Sequence, residues 1–264
     1  MDGFRHMSRE HKLYLKKLKQ EKVFILSVQI ILFVGFITIW ELLSKYNIIN
    51  SFIFSSPSKI LKTLYNLYLD KTLFHHIFVT LKEIFLSFTL GSLIGFILAI
   101  IFYLVPILKK IFDPFLNLIN SLPKVSLGPL LIIWLGANTS SIIVMSLLIN
   151  TIVTLISIYN GLITTDNYKI KLFKSFKATR LQTLIYLIIP HNKETIISSL
   201  KLNISMSLIG VIMGEFLVSK AGIGYLILYG TQVFNLNLVM SGIVLIMIIS
   251  FIIYELINLL EKKK

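Results

Sequence analysis

A lysine, a glutamate and a small set of amides and hydroxyls lie inside stretches of this sequence that are otherwise hydrocarbon. Polar chemistry at such positions is costly, so these residues are the first candidates for function. Lys124 sits about twelve residues into an apolar run, near mid-membrane at roughly 1.5 Å per helical residue. That is deeper than its side chain can snorkel, so it must face protein or water. Pro123 and Pro129 flank it, with Gly128 beside the second, which predicts a broken helix. Two roles fit Lys124 equally, lining a pore or pairing structurally. Glu215, in Val211-Ile-Met-Gly-Glu-Phe-Leu217, can pair with a lysine, cap neighbouring backbone or line an exit. Asn150, Thr151, Thr154, Asn203, Ser205 and Ser207 are also buried by position. Asn203, Ser207 and Gly210 are spaced by four and three along one helical face, a pattern of helix packing more than of solute contact.

Catalytic constellations are missing from the sequence. No Gly-x-x-x-x-Gly-Lys-Ser/Thr run occurs, so the chain has no P-loop for nucleotide phosphates. Gly222-Ile223-Gly224 lacks the third glycine of a dinucleotide fingerprint and reads as a loop turn. His75 and His76 are neighbours and point about 100° apart on a helix, so they do not share a metal. His191 and Glu194 have no serine or carboxylate cluster beside them. With no cysteine, disulfides, thiolate metal sites and thiol nucleophiles are excluded. The expectation is therefore no catalytic residue, no metal and no cofactor bound by this chain.

The elements that must position these residues follow from composition. The 264 residues are 56% hydrophobic and 14% charged, with a mean hydropathy of +0.84, too apolar for a water-soluble domain. The net charge of +14 does not indicate a nucleic-acid binder, because spanning-length apolar runs accompany it. Crossing a hydrocarbon core takes roughly 20 helical residues. Six such runs are predicted, at about 23–43, 79–104, 112–135, 141–162, 195–218 and 236–259. They are continuous, not alternating, which predicts an all-α membrane protein with six transmembrane helices.

Basic residues are retained on the cytoplasmic side of a membrane. Residues 1–22, 105–111, 163–194 and 260–264 carry eighteen of the 26 Lys and Arg, so both termini are predicted to be cytoplasmic. The N-terminal segment, with Arg5, Arg9, Lys12, Lys16, Lys17, Lys19 and Lys22, is read as an uncleaved helix on anionic headgroups. In the outward connection 44–78, Ser55-Ser56-Pro57-Ser58 can cap a surface helix starting near Pro57. The cytoplasmic segment 163–194 is long, basic and able to form a short helix pair. Leu172, Phe173, Phe176, Leu181, Leu184 and Ile185 give it an apolar face that Pro190 ends. A surface helix of that kind is what docking a soluble motor needs.

At these residues the sequence resembles the permeases of bacterial ABC importers, specifically the nitrate/sulfonate/taurine group, which includes pyrimidine-precursor and riboflavin carriers. Ser55-Ser-Pro-Ser58 resembles the Pro-Ser-Pro-Ser after the family's first span. Leu122-Pro-Lys-Val-Ser-Leu-Gly-Pro-Leu-Leu-Ile-Ile-Trp-Leu-Gly136 is similar to its third-span signature. Ala178-Thr179-Arg180 through Ile188-Ile-Pro190 resembles the second half of its coupling loop, and Glu215-Phe-Leu with Ala221-Gly-Ile-Gly-Tyr-Leu-Ile227 its fifth span and following loop. The family's Glu-Ala-Ala falls here on Lys171, Leu172 and Phe173, and its glycine on Lys177. A second proline and a glycine expected beyond Pro190 are Glu194 and Ser199. The docking surface is thus altered, which fits a chain working beside a different, more typical permease.

The resemblance implies a type I ABC importer permease, a five-helix core plus an N-terminal helix, with a coupling helix between spans 4 and 5. It implies a non-catalytic subunit of the bacterial inner membrane, forming half of a path as a homo- or heterodimer. Separate ATPase subunits would use the ATP, and an extracytoplasmic binding protein would deliver a small solute. A sulfonate, nitrate or taurine-like anion, or a thiamine-precursor or riboflavin-like heterocycle, fits the group. Candidate ATPase-contacting residues are Lys171, Leu172, Phe173, Phe176, Lys177, Ala178, Thr179, Arg180 and Pro190. Candidate path residues are Lys124, Asn150, Asn203, Ser207 and Glu215. The competing readings are an independent secondary transporter or channel, which would carry inverted repeats or paired intramembrane charges, and a membrane enzyme or assembly factor.

Overall fold

The computed structural model describes residues 9–262; Arg5 and the last two lysines lie outside them. Every regular element among the described residues is helical. Five helical stretches are long and apolar enough to cross a membrane: 13–45, 73–104, 139–163, 193–218 and 236–259. A sixth span is made if the bent pair 106–121 and 124–135 counts as one.

The chain divides into two compact units, residues 1–62 and 63–264. In the first, α1 (Arg9–Lys45) carries the basic segment and the first apolar run in one helix. It is followed by the short α2 (Ser51–Phe54) and the start of α3 (Pro57–Leu69). Local chemistry accounts for these starts. Asn50 accepts the Phe52 N–H at 2.9 Å, and Pro57 occupies the first position of α3, where a missing N–H costs nothing. The Ser58 N–H and hydroxyl both donate to Glu41 of α1, at 3.0 and 2.8 Å.

The second unit is built on α4 (Leu73–Leu104), α5 (Pro106–Ser121), α6 (Gly128–Leu135), α7 (Thr139–Ile163), α8 (Asn167–Ser175), α9 (Arg180–Thr183), α10 (Ile189–His191), α11 (Lys193–Val218), α12 (Ile223–Gln232) and α13 (Leu236–Lys262). At its centre α4, α7 and α11 pack against one another, and α12 packs on α13 and α11. Close approach is possible because small residues recur at every fourth position of α4. Ser87, Gly91, Gly95 and Ala99 are all buried. A β-carbon on Gly91 would lie 1.9 Å from Asn150 Oδ1, and one on Gly210 would lie 2.5 Å from Ser146 Cα. In a bilayer no hydrophobic force separates helix from lipid, so such van der Waals contact and interhelical hydrogen bonds hold the trio together. Each end of the trio has an aliphatic cluster. One joins Ile84, Ile142 and Val211; the other joins Ala99, Ile158, Leu162, Leu184 and Ile188.

The connection 105–111 is itself helical, since α5 starts at Pro106 directly after Val105. One sequence expectation is corrected. Pro190 does not end the helical pattern before span 5. Residues 184–188 form a π turn, with the Ile189 N–H reaching back to Leu184 O. The helix then passes through Pro190 to His191. The wider turn relieves the clash between a proline ring and the carbonyl four residues earlier, so the break falls at Asn192.

Candidate translocation path and coupling loop

The third apolar run is broken where its prolines predict. The axes of 106–121 and 124–135 meet at 88°, with Leu122 extended and residues 124–127 in a 3-10 turn. Lys124 lies on this corner, half-buried, and its ammonium turns back to Asn120, 3.2 Å from the carbonyl and 3.4 Å from Oδ1. The backbone acceptor is one of the last carbonyls of α5, at a helix C-terminus where a cation is favoured.

Asn150, Asn203 and Ser207 are brought together at the α4–α7–α11 interface, each fully buried. Asn150 Nδ2 donates to Ser87 O at 2.9 Å and to Ser207 Oγ at 2.7 Å. Asn203 Nδ2 donates to Ser92 Oγ at 2.6 Å, and Ser207 Oγ donates to Asn203 O at 2.8 Å. Ser146 Oγ adds a bond to Ser207 O at 3.1 Å. All but the Ser207–Asn203 bond, which lies within α11, cross between helices and so fix their rotation and register. Lys124 is not part of this group.

Glu215 occupies a different site, at the start of α12. Its Oε1 accepts the Thr80 hydroxyl at 2.6 Å and its Oε2 accepts the Gly224 N–H at 2.5 Å. Thr80 Oγ1 in turn accepts the Ile223 N–H at 2.8 Å, and His76 Nδ1 accepts the Gly222 N–H at 3.0 Å. The His76 ring also stacks on Tyr225. The N–H groups that α12 cannot satisfy internally are thus taken by side chains of α4 and α11. A carboxylate at a helix N-terminus is further favoured by the helix dipole. The glycines follow from this geometry. Gly222 has φ +114°, and a β-carbon there would lie 2.4 Å from the Glu215 carboxyl carbon. Glu83, 2% exposed, packs against the same carboxylate. Thr80 and Glu83 were missed by sequence reasoning, and His76 was weighed only as a metal ligand. Their signal was the spacing 76, 80, 83, 87, 91, 95, which places them on the face of α4 that carries its glycines.

The 163–194 loop has an anchored half and a projecting half. Thr179 and Gln182 form a reciprocal capping box at α9. Leu184 and Ile188 are buried against Ala99, Ile158 and Leu162. Asn192 Nδ2 ties the end to Thr165 Oγ1 at 2.6 Å. In contrast, Leu172 of α8 and Phe176 at its C-terminal cap are 54% and 75% exposed, and Leu181, Ile185 and Pro190 beyond them are exposed too. Phe173 and Ala178 are half-buried; Lys171 is exposed, with its ammonium over the Tyr168 ring. Lys177 has φ +59°. Its N–H bonds Lys174 O, and the Ala178 N–H bonds Phe173 O, the two bonds of a Schellman cap. The left-handed backbone that suits glycine is present here on a lysine.

Comparison with known proteins accords with this architecture. The "Probable ABC transporter permease protein" of Haemophilus influenzae is 29% identical over 216 residues, 82% of this chain and 87% of that protein. The taurine transport system permease protein TauC of Escherichia coli is 25% identical over 262 residues, 96% of this chain and 94% of its own. In fold, a chain of the MetNI methionine ABC transporter in its inward-facing conformations superposes with a TM-score of 0.65. That match covers 73% of this chain and 95% of the other at 17% identity. The pattern of the binding-protein-dependent transport system inner membrane component family matches residues 91–264. From the broken third span to the last helix the match is continuous, and the chain belongs to this family of ABC transporter permeases.

Proposed function

We propose that this chain is one of two permease halves of an ATP-driven importer. Both its termini and the 163–194 loop face the cytosol, and a separate ATPase subunit docks on α8. The carrying observation is the division of that loop. Tyr168, Leu172 and Phe176 recur every fourth residue on a helix and are exposed. The segment after them is locked into the α4–α7 core by Leu184 and Ile188. An apolar stripe on a mechanically anchored helix suits a partner whose movement must reach the membrane helices.

The chain itself binds no nucleotide in this reading; ATP is the partner's. An extracytoplasmic binding protein delivers solute to the outward connections 44–78, 136–140 and 219–235. The solute is a small sulfonate-like anion, a reading supported by the near full-length likeness to a taurine permease and by the cation of Lys124 on the corner of the broken span. Replacing Lys124 by Met lowers uptake at unchanged expression if it serves the path; unchanged uptake assigns it to capping α5.

The test is affinity purification of the tagged chain from mild detergent, with crosslinking through Lys171 and mass spectrometry of what accompanies it. Recovery of a P-loop ATPase, lost on Phe176→Asp, is expected. Recovery of the chain alone, still transporting in vesicles without ATP, overturns the proposal in favour of an independent transporter.

A further inference from the structure

Beside the coupling loop, a cleft of about 300 Å³ opens between the ends of α4 and α7, the start of α5, and α8–α9. Its apolar floor includes Pro106 and Ile163, and its polar lining is Tyr103, Tyr159, Lys174 and Arg180. The charges here are uncompensated. Lys109, which lies 5.2 Å over the Tyr159 ring, is ion-paired with Asp113. Lys174 and Arg180 have no carboxylate partner among the described residues. The Arg180 guanidinium makes one long contact, 3.5 Å from Leu104 O, which leaves most of its five donors available.

We propose that this cleft binds a singly charged oxyanion, a phosphodiester or phosphate, gripped by Arg180 and Lys174 with the two tyrosine hydroxyls as further donors. The planar arginine fork suits two oxygens of such a group, and the lysine adds a point charge. Position favours a phospholipid headgroup as the source. Leu104 and Ile163 are the last residues of spanning helices, so the cleft sits at headgroup level over an apolar floor. An occupant would tie α8 and α9 to the ends of α4 and α7, stiffening the loop on which the importer reading rests. Only the side of the membrane depends on that reading; binding does not.

The test uses the purified chain in uncharged detergent and follows thermal unfolding by tryptophan fluorescence. Short-chain phosphatidylglycerol, phosphatidylcholine of the same chain length and inorganic phosphate are compared. Phosphatidylglycerol is expected to raise Tm by about 5 °C near saturation, with little effect of phosphatidylcholine. The shift disappears in the Lys174→Gln, Arg180→Gln double variant and persists in Lys169→Gln, which removes a loop charge outside the cleft. An equal shift with inorganic phosphate identifies a free anion as the occupant. No shift with either, or a shift retained in the double variant, overturns the proposal. If the double variant does not fold, Lys174→Gln with Arg180→Lys provides the same reading, with the shift reduced at least by half. No ATPase is needed, so failure here leaves the importer reading standing, and its own test is co-purification.

Discussion

Two short helices of this chain begin in the same way and differ in what surrounds the beginning. At α3, Glu41 accepts the N–H and hydroxyl of Ser58 beside Pro57. At α12, Glu215 accepts the Gly224 N–H and the Thr80 hydroxyl. In both a glutamate from an apolar helix satisfies the start of a following one. The Glu41 contact is open to solvent, whereas Glu215 is fully buried. Water can replace the first carboxylate when it is removed; nothing replaces the second. The same device is therefore a modest cap in one place and a structural clasp in the other, joining α4, α11 and α12.

The comparison is broken most directly by Glu215→Ala. It leaves Thr80 and the Gly224 N–H unpaired in a buried site and should cost about 4 kcal/mol, seen as a large fall in Tm and in detergent-extracted yield. A loss below about 1 kcal/mol would show that the site admits water. Gly222→Ala attacks the clasp from the other side. A β-carbon 2.4 Å from the carboxyl carbon at φ +114° should cost about 3 kcal/mol. The double variant with Glu215→Ala should be less than additive, because the clash disappears with the carboxylate. Glu41→Gln should cost only about 0.5 kcal/mol by the same unfolding measurement, in line with a solvent-accessible cap. An effect of the same small size has the opposite sign. Lys177→Gly removes a left-handed lysine from an exposed Schellman cap and should stabilise the loop by about 0.5 kcal/mol, read as slower proteolysis between α8 and α9.

Much of the fold is legible without coordinates because lipid imposes a simple requirement. Backbone polar groups must be satisfied within each span, so long apolar runs can only be helices. The helix break at Pro123 is legible for the same local reason, a missing donor and a ring clash. Pro190 shows the limit of that reasoning, since a π turn accommodates it and the helix continues to His191. The partners of polar residues were legible only as alternatives. For Glu215, capping was one of three options, and nothing in its neighbourhood in sequence points to Thr80, 135 positions away. Glu83 escaped notice because an acidic residue near the end of an apolar run reads as a boundary until its neighbours are known.

By itself, the sequence determined that this is a helical membrane protein, which basic loop stands out and which permease family it resembles. Those properties depend on composition, periodicity and local backbone chemistry, which survive in one dimension. Tertiary structure alone decided that Asn150, Asn203 and Ser207 join Ser87 and Ser92 across three helices, that Glu215 clasps the start of α12, and that the 163–194 loop is half anchored and half exposed. Each of those depends on which face of one helix meets which face of another. That choice is made by close contact between small residues far apart in the chain, and a single sequence carries no direct record of the pairing.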